Sequence, residues 1–269
     1  MDTAWHAGED PVVGVIDREG TPNDADETDA HLEIDALESA FAGDATITGV
    51  DLEDALTADP SLLVAAGEAT LSAAARAGVD VPVLPVGSIA GIESVDPDRV
   101  PDALAAVLED RAVRRTHPVL NVDLECASES DGLESSERAL YDVTLVTDEP
   151  ARISEYGVHS RGETVATFRA DGVVAATPAG SHGYASTVDA PHLSGAVDAV
   201  AVAPIGPFVT QTRRWVLPDD GLSVTVERDE SDVALVVDDR SVGTVTVGSR
   251  VHVSAVDTLE TVSVPAERL

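Results

Sequence analysis

The sequence contains no lysine, and all 16 of its basic residues are arginine. A Walker-type phosphate loop and a Schiff-base mechanism both require a lysine, so the sequence excludes both. The single cysteine, Cys126, can form neither an intrachain disulfide bond nor a cysteine metal cluster. The histidines form no spaced ligand set with it, so a dedicated zinc site is not expected.

Long apolar runs are missing as well. No segment approaches the roughly 18 residues of a membrane-spanning helix, and the first residues lack a basic stretch followed by an apolar one. We therefore expect a soluble, cytoplasmic protein without a membrane partner. No basic patch that could neutralise phosphates is visible, so nucleic acid is not an expected partner either.

Acidic residues dominate the charged residues of the sequence. Aspartate and glutamate number 50, the formal net charge is −34, and aromatic residues make up only 3% of the chain. A dispersed acidic surface suits a cytoplasm with molar salt, where screening weakens repulsion between like charges, so we expect a halophilic source. Disorder is disfavoured, because 43% of the residues are hydrophobic and fall into periodic segments.

The first part of the chain alternates between predicted strands and predicted helices. Apolar runs predict strands at 12–16, 45–50, 62–65 and 81–86, and helical spacing or an alanine-rich composition predicts helices after them. This alternation is typical of a parallel sheet with helices on its faces. We expect an open parallel α/β (Rossmann-like) domain over residues 1–112.

The pattern changes between residues 110 and 118. Short alternating segments follow, separated by glycine or aspartate, and one of them spans 139–147. Many short strands at such spacing predict a β-sandwich-like domain, which we expect over residues 113–269.

Two stretches place small residues and carboxylates at strand ends. Glu68 follows the strand 62–65, at the carboxyl end where an open α/β sheet places its ligand. In the stretch 171–191 a short strand, a Gly/Ser/Thr turn and a possible helix start predict an anion site made of free backbone N–H groups. An ordinary strand-to-helix turn explains the second pattern too, and Glu68, Asp142 and Asp171 could equally be solvated carboxylates.

Several blocks resemble motifs of the NAD kinase family. The segment 62–76, LLVAAGEATLSAAAR, is similar to the family's GGDGT-L motif, and residues 138–146 stand where the family has Asn-Glu. Further blocks, which are similar to ADG, STPTGSTAY, GGP and PICPH, are 170–172, 176–184, 189–191 and 204–207. Their common order along nearly the whole chain favours NAD kinase over the related lipid kinases.

The resemblance implies phosphoryl transfer from ATP or polyphosphate to the 2′-hydroxyl of the adenosine ribose in NAD, with Mg²⁺ on the donor phosphates. Residues 1–112 would form the phosphate-donor domain and 113–269 the dinucleotide-binding domain of a homo-oligomer, a dimer or tetramer. Glu68 would be the general base. The implied NAD-binding residues are Gly67, Ala69, Tyr141, Asp142, Asp171, Thr177, Gly180, Ser181, His182, Gly183 and Tyr184.

The sequence departs from the family motifs at several positions. Glu68 replaces an aspartate, Ala66 and Ala69 replace glycines, Tyr141-Asp142 replaces Asn-Glu, and His182-Gly183 replaces Thr-Ala. Either alanine would be strained if its position required a positive φ. These changes leave a second hypothesis open, a catalytically impaired homologue that binds NAD(P) as a regulatory or partner protein. The metal ligands are not assigned, although the acidic segment 17–27 could be recruited to Mg²⁺.

Overall fold

The computed structural model describes residues 11–16, 32, 34–41, 45–49, 51–126, 136–149, 152–209, 213–229 and 231–265. The acidic segment 17–27 lies outside these residues. The chain divides into two compact units, one formed by Met1–His117 with Leu259–Leu269 and the other by Pro118–Thr258. The C-terminal segment thus belongs to the first unit, whereas the division expected from the sequence placed it in the second.

The first unit is an α/β fold built on a parallel sheet. Its elements are β1 (Val12–Ile16), α1 (Ile34–Ala40), β2 (Thr46–Thr48), α2 (Leu52–Thr57), β3 (Leu62–Ala66), α3 (Gly67–Ala77), β4 (Val83–Val86) and α4 (Val100–Leu108). The strands pair in parallel in the order β2-β1-β3-β4, and Thr261 of the last strand pairs with Val83. Every residue of β3 is buried, as expected for a central strand of a parallel sheet.

The second unit contains the antiparallel strands. Its elements are β5 (Val113–Glu125), which begins in the first unit, β6 (Glu137–Ala139), β7 (Asp142–Thr147), β8 (Ser154–Ser160), β9 (Glu163–Ala170), β10 (Gly172–Ala176), α5 (Tyr184–Thr187), β11 (Ala199–Ile205), β12 (Trp215–Pro218), β13 (Leu222–Arg228), β14 (Val233–Val237), β15 (Arg240–Val245) and β16 (Arg250–Ser263), which ends in the first unit.

Two layers of strands enclose the core of the second unit. One layer has the order β16-β13-β8-β9, and the other has the order β12-β11-β10-β7-β14-β15. Tyr156 and Val224 of the first layer share a buried cluster with Leu145, Val173 and Leu235 of the second. The predicted fold class, a parallel α/β domain followed by a β-sandwich-like domain, is therefore confirmed.

One predicted strand is interrupted in the structure. The segment 139–147 was expected to be continuous, but the chain bends at Leu140 and Tyr141, between β6 and β7. The backbone N–H groups of both residues donate to the Asp238 carboxylate rather than to a neighbouring strand. This bend places Asp142 at the start of β7.

No helix in the described part of the chain is long and apolar enough to cross a membrane.

Candidate functional site

Glu68 lies at the junction of β3 and α3 in the first unit. Gly67, at φ 84°, turns the chain from the buried strand into the helix, a left-handed conformation that favours glycine. Glu68 is exposed in the first helical turn, and its Oε1 accepts the backbone N–H of Ala90 at 2.7 Å. The junction therefore presents a solvent-accessible carboxylate held by one hydrogen bond.

The two alanines beside Glu68 are not strained. Ala66 has φ −90°, and Ala69 lies within α3 and is not among the non-glycine residues with positive φ. Only Gly67 in this motif needs the left-handed conformation, and it is still a glycine. Replacing the neighbouring glycines by alanine is thus compatible with the backbone.

In the second unit, Asp171 forms the turn between β9 and β10. Its N–H donates to the carbonyl of Ile205 at 2.9 Å, and its own carbonyl accepts the N–H of Thr147 at 2.8 Å. Gly206, at φ 53°, packs against the Asp171 side chain so closely that a Cβ at residue 206 would overlap the carboxylate. Because residue 206 is a glycine and has no side chain, there is room for the Asp171 carboxylate.

The loop after β10 is built around Thr177, which is fully buried. Its hydroxyl donates to the carbonyl of Leu140 at 2.7 Å and accepts the N–H of Gly180 at 3.1 Å. Its own N–H donates to the carbonyl of Tyr141 at 2.9 Å. Thr177 therefore attaches the loop to the bend at residues 140–141.

Of the two alternatives for the stretch 171–191, the structure has the ordinary turn and not an anion site of free N–H groups at the start of a helix. Residues 180–182 form a 3-10 turn, and the helix that follows, α5, has only four residues. The N–H groups of Gly180 and Ser181 are used inside the loop, by the hydroxyl and the carbonyl of Thr177. The Ser181 hydroxyl is also internal, since it donates to the carbonyl of Pro178 at 2.8 Å and accepts the N–H of Leu193 at 2.9 Å.

The exposed face of this loop is formed by the next residues. Tyr184 is 44% exposed, His182 is exposed, and Gly183 between them is partly exposed. The His182 ring lies edge-on to His192 with centroids 4.7 Å apart, and its Nε2 is 3.2 Å from the carbonyl oxygen of Leu193. Of the predicted loop residues, these three can reach a ligand with their side chains or backbone, whereas Thr177, Gly180 and Ser181 shape the loop.

Asp142 is a buried carboxylate near Tyr184. It is 7% exposed, and the hydroxyl of Thr144 donates to its Oδ1 at 3.1 Å. Burial, and after it the negative charge of Asp238, raises the pKa of Asp142 from 3.8 to about 7. The pKa of the Tyr184 phenol is raised by burial first and then by the charges of Asp142 and Asp239. The structure thus places Asp142 and Tyr184 within one electrostatic cluster.

Replacing Asp142 by asparagine should make stability less dependent on pH. Because its pKa is raised, Asp142 keeps its proton in the folded protein up to about pH 7, whereas in the unfolded chain it loses the proton near pH 3.8. Asp142 therefore contributes fully to the stability of the fold below about pH 4, and this contribution is lost as the pH rises through about 7. We expect Asp142→Asn to raise the free energy of unfolding by roughly 3 kcal/mol at about pH 8 and to change it little at about pH 4. Urea unfolding at constant high salt measures both values.

The matched control is Asp148→Asn, because Asp148 follows the other end of the same strand, β7, and is exposed. It should change the free energy of unfolding equally little at both pH values. An equal effect of the two substitutions would contradict the burial-driven shift at Asp142.

Asp238 and Asp239 belong to this site but were not identified from the sequence. They form the turn between β14 and β15, and the Asp238 carboxylate accepts the N–H groups of residues 140–142. The pair of aspartates between two apolar segments does indicate a turn. The contact between Asp238 and Asp142 joins residues that are 96 positions apart, so no local sequence pattern predicts it.

The described residues contain no group of three or more histidine, cysteine, aspartate or glutamate side chains arranged to hold a metal ion. The metal ligands therefore stay unassigned.

Comparison with known proteins connects both units to one family. Residues 140–262 match the model of the ATP-NAD kinase C-terminal domain. The NAD kinase of Acidobacterium capsulatum is 32% identical over 226 residues, which cover 81% of this chain and 77% of that protein. The NAD kinase of Methanosarcina mazei is 34% identical over 106 residues, but this match covers only 39% of the chain and 37% of the relative.

Among solved structures, yeast NADH kinase complexed with NADH is similar in fold. The TM-score is 0.77 at 17% sequence identity, over 99% of this chain and 89% of the yeast chain. The fold, the matched C-terminal domain and the long alignment with the Acidobacterium protein agree with each other. This chain belongs to the NAD kinase family.

Proposed function

We propose that this protein is an NAD kinase that transfers a phosphoryl group from ATP or polyphosphate to the 2′-hydroxyl of the adenosine ribose of NAD, producing NADP. With ATP, a bond forms between the 2′-oxygen and the γ-phosphorus, the bond to the β–γ bridging oxygen breaks, and ADP leaves. The observation that carries this proposal is the exposed Glu68 carboxylate at the β3–α3 junction of a chain in this family.

Glu68 is the proton acceptor in this proposal. The N–H of Ala90 orients its Oε1, which leaves Oε2 to take the proton of the 2′-hydroxyl as the oxygen attacks phosphorus. Mg²⁺ would enter with ATP, as part of the substrate, and neutralise charge on its phosphates. In-line transfer of this kind depends mainly on positioning and on charge stabilisation.

The second unit binds the dinucleotide in this proposal. Asp142 and Asp171 offer carboxyl groups to ribose or amide groups, and Tyr184 offers a partly exposed ring for stacking. His182 and Gly183 line the same loop, whereas Thr177, Gly180 and Ser181 hold its shape through internal hydrogen bonds. The other residues that we propose to bind NAD are Gly67 and Ala69, on either side of Glu68, and Tyr141, next to Asp142.

A catalytically impaired homologue that binds NAD(P) as a regulatory or partner protein is the second candidate. It is favoured by the altered residues of the proton-transfer motif, Glu68 and Ala69, whereas the loop after β10 retains the family residues Thr177, Gly180, Ser181 and Tyr184. The double variant Glu68→Asp, Ala69→Gly separates the two candidates. A large gain in activity from near zero would indicate a decayed site, whereas a loss would indicate a site adapted to glutamate.

The direct test combines binding and turnover on the full chain. Calorimetry in molar KCl should show binding of NAD, and a coupled assay for NADP with ATP or polyphosphate and MgCl₂ should show turnover. Tight NAD binding without turnover with either donor would support the binding protein. Absence of both binding and turnover would reject both candidates.

Further proposals concern the source, the location and the assembly. The charge of −34 and the exclusive use of arginine support a divergent member of the family from a halophilic archaeon, and full activity after refolding at low salt would contradict this. ATP and NAD as substrates support a cytoplasmic location.

Assembly into a dimer or tetramer is supported by β12. This strand is at the end of its sheet, where its backbone can pair with another chain, and its Val216 is 51% exposed.

A further inference from the structure

The turn between β14 and β15 is unusual in its backbone. Val237 pairs with Arg240, so the turn consists of Asp238 and Asp239, which have φ 45° and 61°. Two residues with positive φ define the tight hairpin turn that fits the twist of antiparallel strands. Asparagine, aspartate and glycine tolerate this conformation best, so the turn holds Asp238 in one defined orientation.

The Asp238 carboxylate binds three consecutive backbone N–H groups. Its Oδ2 accepts from Leu140 at 2.8 Å, and its Oδ1 accepts from Tyr141 at 2.8 Å and from Asp142 at 3.1 Å. The N–H of Asp238 donates in return to the carbonyl of Asp142 at 3.1 Å. Hydrogen bonds to an ionised acceptor are about twice as strong as neutral ones, so this contact fixes the bend firmly.

The carbonyl side of the same bend is held by the loop after β10. The Thr177 hydroxyl donates to the carbonyl of Leu140, and the Thr177 N–H donates to the carbonyl of Tyr141. Gly180 packs against the Tyr141 carbonyl. Residues 140–142 therefore connect the β14–β15 turn to the loop that presents Tyr184, and a shift of Asp238 would move both Asp142 and this loop.

Asp238 also acts on Asp142 through its charge. Among the described residues, the charged and titratable groups that face Asp142 are Asp238 and Asp239 of the β14–β15 turn and Tyr184 of α5, while Thr144 of β7 donates a hydrogen bond to it. After burial, Asp238 has the largest effect on Asp142. The charge of Asp238 thus favours the protonated form of Asp142, which can donate as well as accept a hydrogen bond.

We propose that Asp238 is a positioning residue of the nucleotide site: its carboxylate fixes the backbone of residues 140–142 and thereby sets the place of the Asp142 side chain that meets the dinucleotide. This inference rests on the proposed function, because it requires that Asp142 contacts NAD. Asp238 itself acts through Asp142 and the Thr177 loop.

The test is calorimetric titration of the full chain with NAD in molar KCl over a range of pH. Asp238→Asn should weaken NAD binding about tenfold or more and should move the pH at which affinity changes to a lower value, since the neighbouring charge is gone. The control is Asp232→Asn, because Asp232 is an exposed aspartate at the other end of β14 and is not part of the site. Its affinity should stay within about threefold of the unchanged chain.

If Asp238→Asn does not fold, Asp238→Glu provides a second test of the positioning role, because it keeps the charge and lengthens the side chain. It should weaken NAD binding about tenfold without moving the pH midpoint. Affinities of the Asp238 variants within threefold of that of Asp232→Asn, with the same pH profile, would overturn this inference alone. Failure of the unchanged chain to bind NAD would overturn the proposed function and this inference together.

Discussion

Glu68→Gln is expected to lower the rate of NADP formation by about 100- to 10,000-fold, the usual contribution of a positioned general base. Glutamine has nearly the same shape as glutamate, and its side-chain oxygen can still accept the N–H of Ala90, which is 2.7 Å from Glu68 Oε1. The junction of β3 and α3 should therefore keep its geometry. Only the ability to take the proton from the 2′-hydroxyl is lost, so NAD binding should change little.

The matched control is Glu53→Gln. Glu53 is also an exposed glutamate in the first turn of a helix of the first unit, α2. It should leave the rate of NADP formation within about twofold, as is usual for a surface substitution away from a site. Both variants are measured by initial rates in molar KCl at saturating ATP and NAD. A loss of rate of less than tenfold for Glu68→Gln would show that Glu68 is not the general base.

Gly180→Ala is expected to have the second largest effect. A Cβ at residue 180 would overlap the carbonyl of Tyr141, and because this neighbour is backbone it cannot rotate away. The bend at residues 140–142 and the loop after Thr177 must then separate. Overpacking of this kind costs about 3 kcal/mol, and we expect NAD binding to weaken by about 10- to 100-fold because Asp142 and Tyr184 lie on the two separated segments.

Gly195→Ala is the control for this prediction. Gly195 follows Leu193 in the same part of the second unit, and a Cβ there would meet nothing within 4 Å. Its free energy of unfolding should stay within about 0.5 kcal/mol of the unchanged chain, and NAD affinity should be unaffected. Equal results for the two glycine variants, in urea unfolding and in calorimetry, would show that the packing of residue 180 on Tyr141 is not important.

Local sequence patterns predicted the main architecture. The apolar run at Val12–Ile16 appears as a strand with the predicted bounds, because burial in a sheet requires such a pattern. The position of Glu68 was also predictable, since a buried strand followed by Gly67 and an alanine-rich helix determines where the turn lies.

Contacts between distant segments were not predictable. The bend at Leu140 depends on Asp238, which lies 98 positions later in the chain. The anion site considered for the stretch 171–191 is not formed, because Thr177 accepts the N–H groups of Gly180 and Ser181 within the loop. Composition suggested a solvated carboxylate at Asp142 in an acidic chain, whereas the structure buries it beside Asp238.

The most direct test of the central claim is to identify the product by ³¹P nuclear magnetic resonance. Incubation of the purified chain with NAD, ATP and MgCl₂ in molar KCl should produce a phosphomonoester signal at the adenosine 2′-position of the dinucleotide, with ADP released in equal amount. The signal should be strongly reduced with Glu68→Gln and retained with Glu53→Gln. Phosphorylation at another position, or no dinucleotide phosphomonoester with ATP or polyphosphate, would contradict the assignment of this protein as an NAD kinase.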